Sequence, residues 1–268
     1  MIELIGSAPC KHYELDPLPT WASNWQLIIS NEKSKWLLIS KYINDSHIIK
    51  YEFNLGGEIF PGVTDALDLG VNFTSRLRFL NHISIIITKA KQRLFLLNKC
   101  FLSRNPNILI LAFKTYVIPL LKYCSLVWNP QNILDIKRIE SVQRLFTKRL
   151  IGFEGLSYPA RLERARLCTL ELWRLRADLS LCYNILHGLV EKVISNFFVV
   201  NTNNLTRGHS WKLKNSVPRL DCRQHFFSHR IINVWNALSQ KTVDSSSTAM
   251  FKERLKTESL VEFLYIKE

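Results

Sequence analysis

From Ile83 onward the apolar residues return at the spacing of an α-helix, and prolines and glycines cut that run into pieces. Ile83, Ile86, Ala90, Leu94, Leu97 and Phe101 share one stripe at helical spacing. Asn105-Pro106 opens a second helix, which runs into Pro119. A proline ring there removes a backbone donor and clashes with the preceding turn, so the helix ends or kinks. A third helix is expected over 133–151, stopped by Gly152, and a short one opens at Pro159. Thr169 caps another that closes at Gly188. Further helix is expected in 221–238 and at the C-terminus, after the turn-rich segment 195–216, which reads as an exposed linker with strand-like pieces.

The first third differs. Asp16-Pro17 caps a short helix reaching Trp25. Strands are expected at 25–30 and 35–40, flanking the polar NEKS. YEFNLGGEIF, 51–60, reads as a hairpin turning at Gly56-Gly57, and LDLGVNFT, 67–74, as one strand. The fold class is therefore α+β, mostly helical. We divide it into 1–75 with the hairpin, a helical 76–190, and a basic 191–268 with linker and helices.

The 268 residues carry 36 Lys and Arg against 22 Asp and Glu, a formal charge of +14. Split at Leu134, the halves carry 14 − 9 = +5 and 22 − 13 = +9. Such an excess points to polyanions: nucleic acid first, anionic lipid second. The positive residues are placed, not scattered. At 100° per residue Lys137, Arg144 and Lys148 fall within about 40° of one another, with Ile139, Val142, Phe146 and Leu150 opposite. Arg138 and Arg149 widen the cationic side, and Glu140 is the one acid between Lys137 and Leu150. A helix laid along a phosphate backbone presents about one cation per turn in this way.

A second concentration holds Arg207, Lys212, Lys214, Arg219, Arg223 and Arg230 against Asp221, 6 − 1 = +5. Trp211, Phe226, Phe227 and Trp235 are interleaved, as in surfaces that hold single strands. The last three also fit the apolar side of an amphipathic helix. Arg174 and Asp178, four apart, read as a surface ion pair, and Arg176 lies near an apolar stripe, where it would reach a partner from another element.

No pair among the six cysteines has zinc-finger spacing. Cys222, His225, His229 and the nearby His209 lack a second ligand pair. Asp65 and Asp68 stand without other acids. There is no phosphate-binding glycine loop, no nucleophile elbow and no evident small-molecule site. The N-terminus lacks a secretory pattern, and no apolar run reaches the ~20 residues of a span. The expected location is intracellular, cytoplasmic or nuclear; the sequence names no protein partner.

YVIPLLKYCSLVWNP (116–130), LDIKRIESVQRLFTKRLIG (134–152) and LSYPARLERARLCTLELWRLRADLSLCYNILHG (156–188) together resemble the C-terminal third of reverse transcriptases from non-LTR retrotransposons of the jockey and chicken-repeat type. LDPLPTWASNWQL (15–27) resembles the helix after that family's catalytic palm motif. NEKSKWLLIS (31–40) resembles its lysine segment, with Lys33 at the lysine and Ser30 where the family usually has asparagine. LDLGVNF and LRFLNHI (67–83) resemble its Leu-Gly-Val strand and the start of its thumb helices. RGHSWKLKNSVPRLDCRQHFFSHRIINVWNAL (207–238) resembles its tail.

The resemblance implies a palm remnant at the N-terminus and a thumb-like helical bundle. It implies a parent RNA-directed DNA polymerase using magnesium. It makes 116–130 a kinked helical hairpin whose aromatics are core and whose basic neighbours face the duplex. One departure outweighs the agreements. The family holds its magnesium on paired carboxylates in a Tyr/Phe-x-Asp-Asp turn, and this sequence has no Asp-Asp anywhere. The expected chain is therefore a decayed or truncated copy, inactive as an enzyme, with no catalytic residue, no metal site and no cofactor of its own. It would retain RNA, primer-template or RNA–DNA hybrid binding. The other class open to it is an inert helical interaction module using its basic face on acidic proteins or anionic lipid. Salt dependence separates the two.

Overall fold

The computed structural model describes residues 12–14, 17–39, 52–55, 58–130, 132–190, 197–201, 208–215 and 225–267. The fold is α+β and mostly helical. It divides into two units, Met1–His82 and Ile83–Glu268.

The first unit carries β1 (His12–Glu14), α1 (Pro17–Asn24), a 3₁₀ turn at Asn31–Lys33, β2 (Trp36–Leu37), β3 (Glu52–Leu55), β4 (Glu58–Phe60), β5 (Gly62–Val63), β6 (Asp65–Asp68) and β7 (Val71–Thr74). β3 lies between β1, parallel to it, and β4, antiparallel to it. The hairpin expected at 51–60 is this β3–β4 pair. β2 pairs with β5 over two residues. Trp36 fixes that contact: its indole N–H donates to Phe60 O at 3.0 Å and its ring centroid lies 5.3 Å from that of Phe53.

Two expectations change here. Residues 25–30 are not a strand. α1 ends with Gln26 at φ 54°, and the Gln26 and Leu27 amides bond back to Ser23 O and Ala22 O, at 3.0 and 2.8 Å. This double bond is a Schellman closure of the helix, which uses the backbone a strand would need. LDLGVNFT is not one strand but a turn inside a hairpin. Leu69 and Gly70 both have positive φ, 44° and 81°, as a two-residue primed turn requires, and β6 pairs antiparallel with β7.

The second unit is built from α2 (Leu80–Cys100, which starts at the end of the first unit), α3 (Pro106–Tyr116), α4 (Ile118–Lys122), α5 (Ser125–Trp128), α6 (Ile133–Lys148), α7 (Tyr158–Ala165), α8 (Leu170–Leu186), α9 (Phe227–Arg230), α10 (Ile232–Ala237), α11 (Gln240–Val243) and α12 (Thr248–Arg254). Asn105 and Thr169 start helices where expected, Asn132 and Ser157 are further caps, and the helix expected to reach 151 ends at Lys148. Asn105, Asn132, Ser157 and Thr169 each accept a hydrogen bond from a first-turn amide of the helix they precede. Around Pro119 the chain makes three short helices, and Cys124 sits in the left-handed region between the last two. Of the aromatics there, Trp128 is core, its indole N–H donating to Tyr123 O at 2.7 Å. Tyr116 and Tyr123 are exposed, so the expectation of an all-core hairpin holds for one ring of three.

No boundary falls at 190. Leu179, Tyr183 and Leu186 of α8 share one core with Phe198, Leu213, Trp235 and Phe251. The expected exposed linker is also corrected for its described parts. Phe198, His209 and Leu213 are buried, and Val200 bridges Leu213. Asn236 clasps this piece to α10, accepting from Leu213 N at 2.8 Å and donating to Leu213 O at 2.9 Å. His209 bonds Trp235 O, and the Trp235 indole donates to Trp211 O. Among the described residues no helix is long and apolar enough to cross a membrane.

Candidate nucleic-acid interface

α6 carries out the division its sequence prescribes. Ile136, Ile139, Val142 and Phe146 are buried, with Leu150 just past its end. Phe146 stacks on Phe113 of α3, ring centroids 3.9 Å apart. Lys137 and Lys148 stand exposed on the other side, and Arg149, the C-cap, is exposed at the end of the helix. Asp135 in the first turn and Lys148 in the last complement the helix dipole.

Two arginines assigned to this face are held in place by neighbours. Arg138 donates to Asp135 Oδ1 and to Ser84 Oγ of α2, both at 2.9 Å. Arg144 lies over the Tyr158 ring of α7, 4.1 Å from its centroid. Arg161 lies over the same ring at 5.5 Å. Arg164, also on α7, donates to Gly152 O at 2.7 Å and covers Phe153. So α7 adds Arg161 and Arg164 to the cations of α6. The sequence reading missed them; their i, i+3 spacing on an amphipathic turn was the available signal.

Beneath this surface lies a polar centre that the sequence did not announce. Glu140 is 1% exposed. Its carboxylate accepts from Tyr158 Oη, from Leu170 N at 2.9 Å and from Gln143 Nε2 at 3.4 Å. Burial pushes its pKa up, against the hydrogen bonds from Tyr158 and Leu170 that hold it down. Tyr158 is raised too, by burial and by Glu140. Glu140 therefore does not dilute the cationic face. It ties α6 to α7 and to the start of α8, which aligns the two basic helices.

A second buried centre absorbs Arg230. Its guanidinium binds Asp178 through two nitrogens, Nε–Oδ2 at 2.8 Å and Nη2–Oδ1 at 2.9 Å. It also donates to Leu126 O and His225 O. Asp178 accepts from Asn129 as well, and Arg174 donates through Nε to Asn129 Oδ1 at 3.1 Å. Arg174 and Asp178 are each 2% exposed, so they are not the surface pair expected from their spacing. Burial lowers Arg174 to about 10 and raises Asp178. Arg230 is thus engaged inside the unit. Arg176 Nε, buried, makes no hydrogen bond among the described residues.

The remaining assignments scatter. Lys212 is half-buried and Lys214 exposed, both on the piece clasped to α10. Arg207, Arg219 and Arg223 lie outside the described residues, as does Cys222. Phe227 and Trp235 are core, Trp211 is half-buried and Phe226 is exposed. Lys33 is exposed in the 3₁₀ turn of the first unit. Among the described residues no three His, Cys, Asp or Glu side chains cluster as metal ligands.

No family model matches the chain, and no solved structure matches it. It is similar to the uncharacterized protein B0403.1 of Caenorhabditis elegans, 27% identical over 124 residues, 45% of this chain and 63% of that protein. The chain thus spans less than two thirds of that relative's length.

Proposed function

We propose that this chain binds nucleic acid through the α6–α7 surface, as a non-polymerising relative of the non-LTR retrotransposon reverse transcriptases it resembles. The observation that carries the reading is the placement of cations on α6 and α7. Lys137 and Lys148 are exposed opposite a fully buried apolar side, Arg149 is exposed at the end of α6, and Arg144, Arg161 and Arg164 are held against aromatic rings. Positioned guanidiniums and mobile ammoniums together suit a phosphate backbone, which is read by charge and spacing. The ligand class is RNA or an RNA–DNA hybrid. The sequence contains no Asp-Asp pair, so the role is binding without magnesium-dependent synthesis.

The test is fluorescence anisotropy on a labelled RNA–DNA hybrid across a salt series, with the triple variant Lys137→Gln, Lys148→Gln, Arg149→Gln. Arg144 is left alone because it packs on Tyr158. Removing three phosphate contacts should lower the log–log salt slope by up to roughly 2–3 and weaken two unrelated sequences alike. A folded variant with unchanged slope and affinity would make this face ordinary solvated surface.

A further inference from the structure

We propose that Lys114 and Lys122, beside the turn at Arg166 and with Trp173 as one wall, form a second phosphate-binding notch that takes the backbone of a nucleic-acid strand leaving α7. The proposal rests on the nucleic-acid reading above and adds a site to it.

The notch is assembled from four elements. α7 ends at Arg166, whose left-handed backbone (φ 50°) turns the chain toward α8. Lys114 at the end of α3 donates to Arg166 O at 3.3 Å, so its ammonium is fixed at the C-terminal end of α7. Lys122 closes α4, just past the Pro119 break, and its ammonium lies 4.2 Å from the centroid of the Trp173 ring on α8. Lys114 and the Cys168 thiol are close enough to act on it electrostatically.

A lysine at a helix C-terminus is favourable by itself, and so is a lysine over an indole. Neither fact explains the group. Among the described residues none of Lys114, Lys122 and Arg166 makes an ion pair. Lys122 pays for this placement. Burial, with Lys114 adding like charge, pulls its pKa below the ordinary lysine value, and the Cys168 thiol only partly offsets that. Two cations gathered with no carboxylate acting on Lys122, the Lys122 ammonium desolvated, are completed by an anion from outside. A phosphodiester fits better than a carboxylate side chain, because the same turn continues α7, which already presents Arg161 and Arg164. Trp173 is half-buried, and the part of its indole that reaches solvent is where a base of that strand would stack.

The experiment is the same anisotropy titration with Lys114→Gln/Lys122→Met. Methionine keeps the apolar stem against Trp173 and removes only charge. Two phosphate contacts contribute a slope of about 1.8, which at 0.15 M salt corresponds to up to roughly 30-fold in affinity. The expected result is a loss of that order, with thermal unfolding unchanged and Lys122→Arg binding close to the native chain. If the native chain binds the hybrid, the α6 triple variant is weakened, and the notch variant binds as well as the native chain, the notch is wrong while the α6–α7 reading stands. If the native chain binds no nucleic acid, both fall. Binding of inorganic phosphate lost in the notch variant, without hybrid binding, would identify a free-phosphate site and overturn the strand assignment.

Discussion

Arg230→Met should unfold the second unit far more readily than an exposed arginine substitution would. The native side chain is 18% exposed and its partner Asp178 only 3%. Methionine removes both bonds to Asp178 and the donors to Leu126 O and His225 O. Asp178 is left buried with Asn129 and, less directly, Arg174. Breaking a buried pair from one side costs about 3–5 kcal/mol, mostly the desolvated charge left behind. For a unit of this size each kcal/mol moves the midpoint by about 2–4 °C, so the melt should fall by roughly 6–20 °C. The double variant Asp178→Leu/Arg230→Met removes the stranded charge and should recover most of that loss. Circular dichroism at 222 nm during thermal and urea unfolding measures both. A single-variant cost below about 1 kcal/mol, or a double variant no better than the single, would refute the argument from burial. The same protein separates structure from binding. If Arg230 is spent on Asp178, the folded variant binds an RNA–DNA hybrid with an unchanged salt slope; a slope lower by about 1 would return Arg230 to the interface.

Glu140→Ala should cost about 2–4 kcal/mol near pH 4, since Tyr158 Oη and Leu170 N lose their acceptor in a buried site. Burial holds the folded carboxyl above its ordinary 4.5, so its stabilisation is full below that value and is lost as pH rises through the folded one. The deficit of the alanine variant should therefore shrink between pH 4 and 7 in paired melts; a deficit that grows would reverse the sign of the shift. Hydrogen exchange should show β2–β7 of the first unit opening faster than α6 and α8, because strands of two to four residues bury little. Equal protection would count against this.

The local architecture of the second unit was legible in the sequence. Asn105, Asn132, Ser157 and Thr169 cap helices because their side chains supply acceptors that a first turn lacks wherever the chain goes next. The apolar side of α6 and its cationic opposite follow from a 100° step per residue, and all four apolar residues so placed are buried. What the sequence could not report is which polar groups burial would claim. On the helical wheel Glu140 lies about 40° from Arg144, beside the cationic side, yet its fate is set by Tyr158 and Leu170, 18 and 30 residues away. Arg174 and Asp178 have the spacing of a surface pair, yet their partners arrive from Asn129 and Arg230, up to 52 residues away. Leu69 hid a turn because an apolar side chain in a strand-like run says nothing of its own φ. Periodicity records which side of an element avoids water. Whether a charge on the boundary faces solvent, a phosphate or a buried partner depends on elements brought together only by tertiary packing, because a desolvated charge persists only where such a partner compensates it.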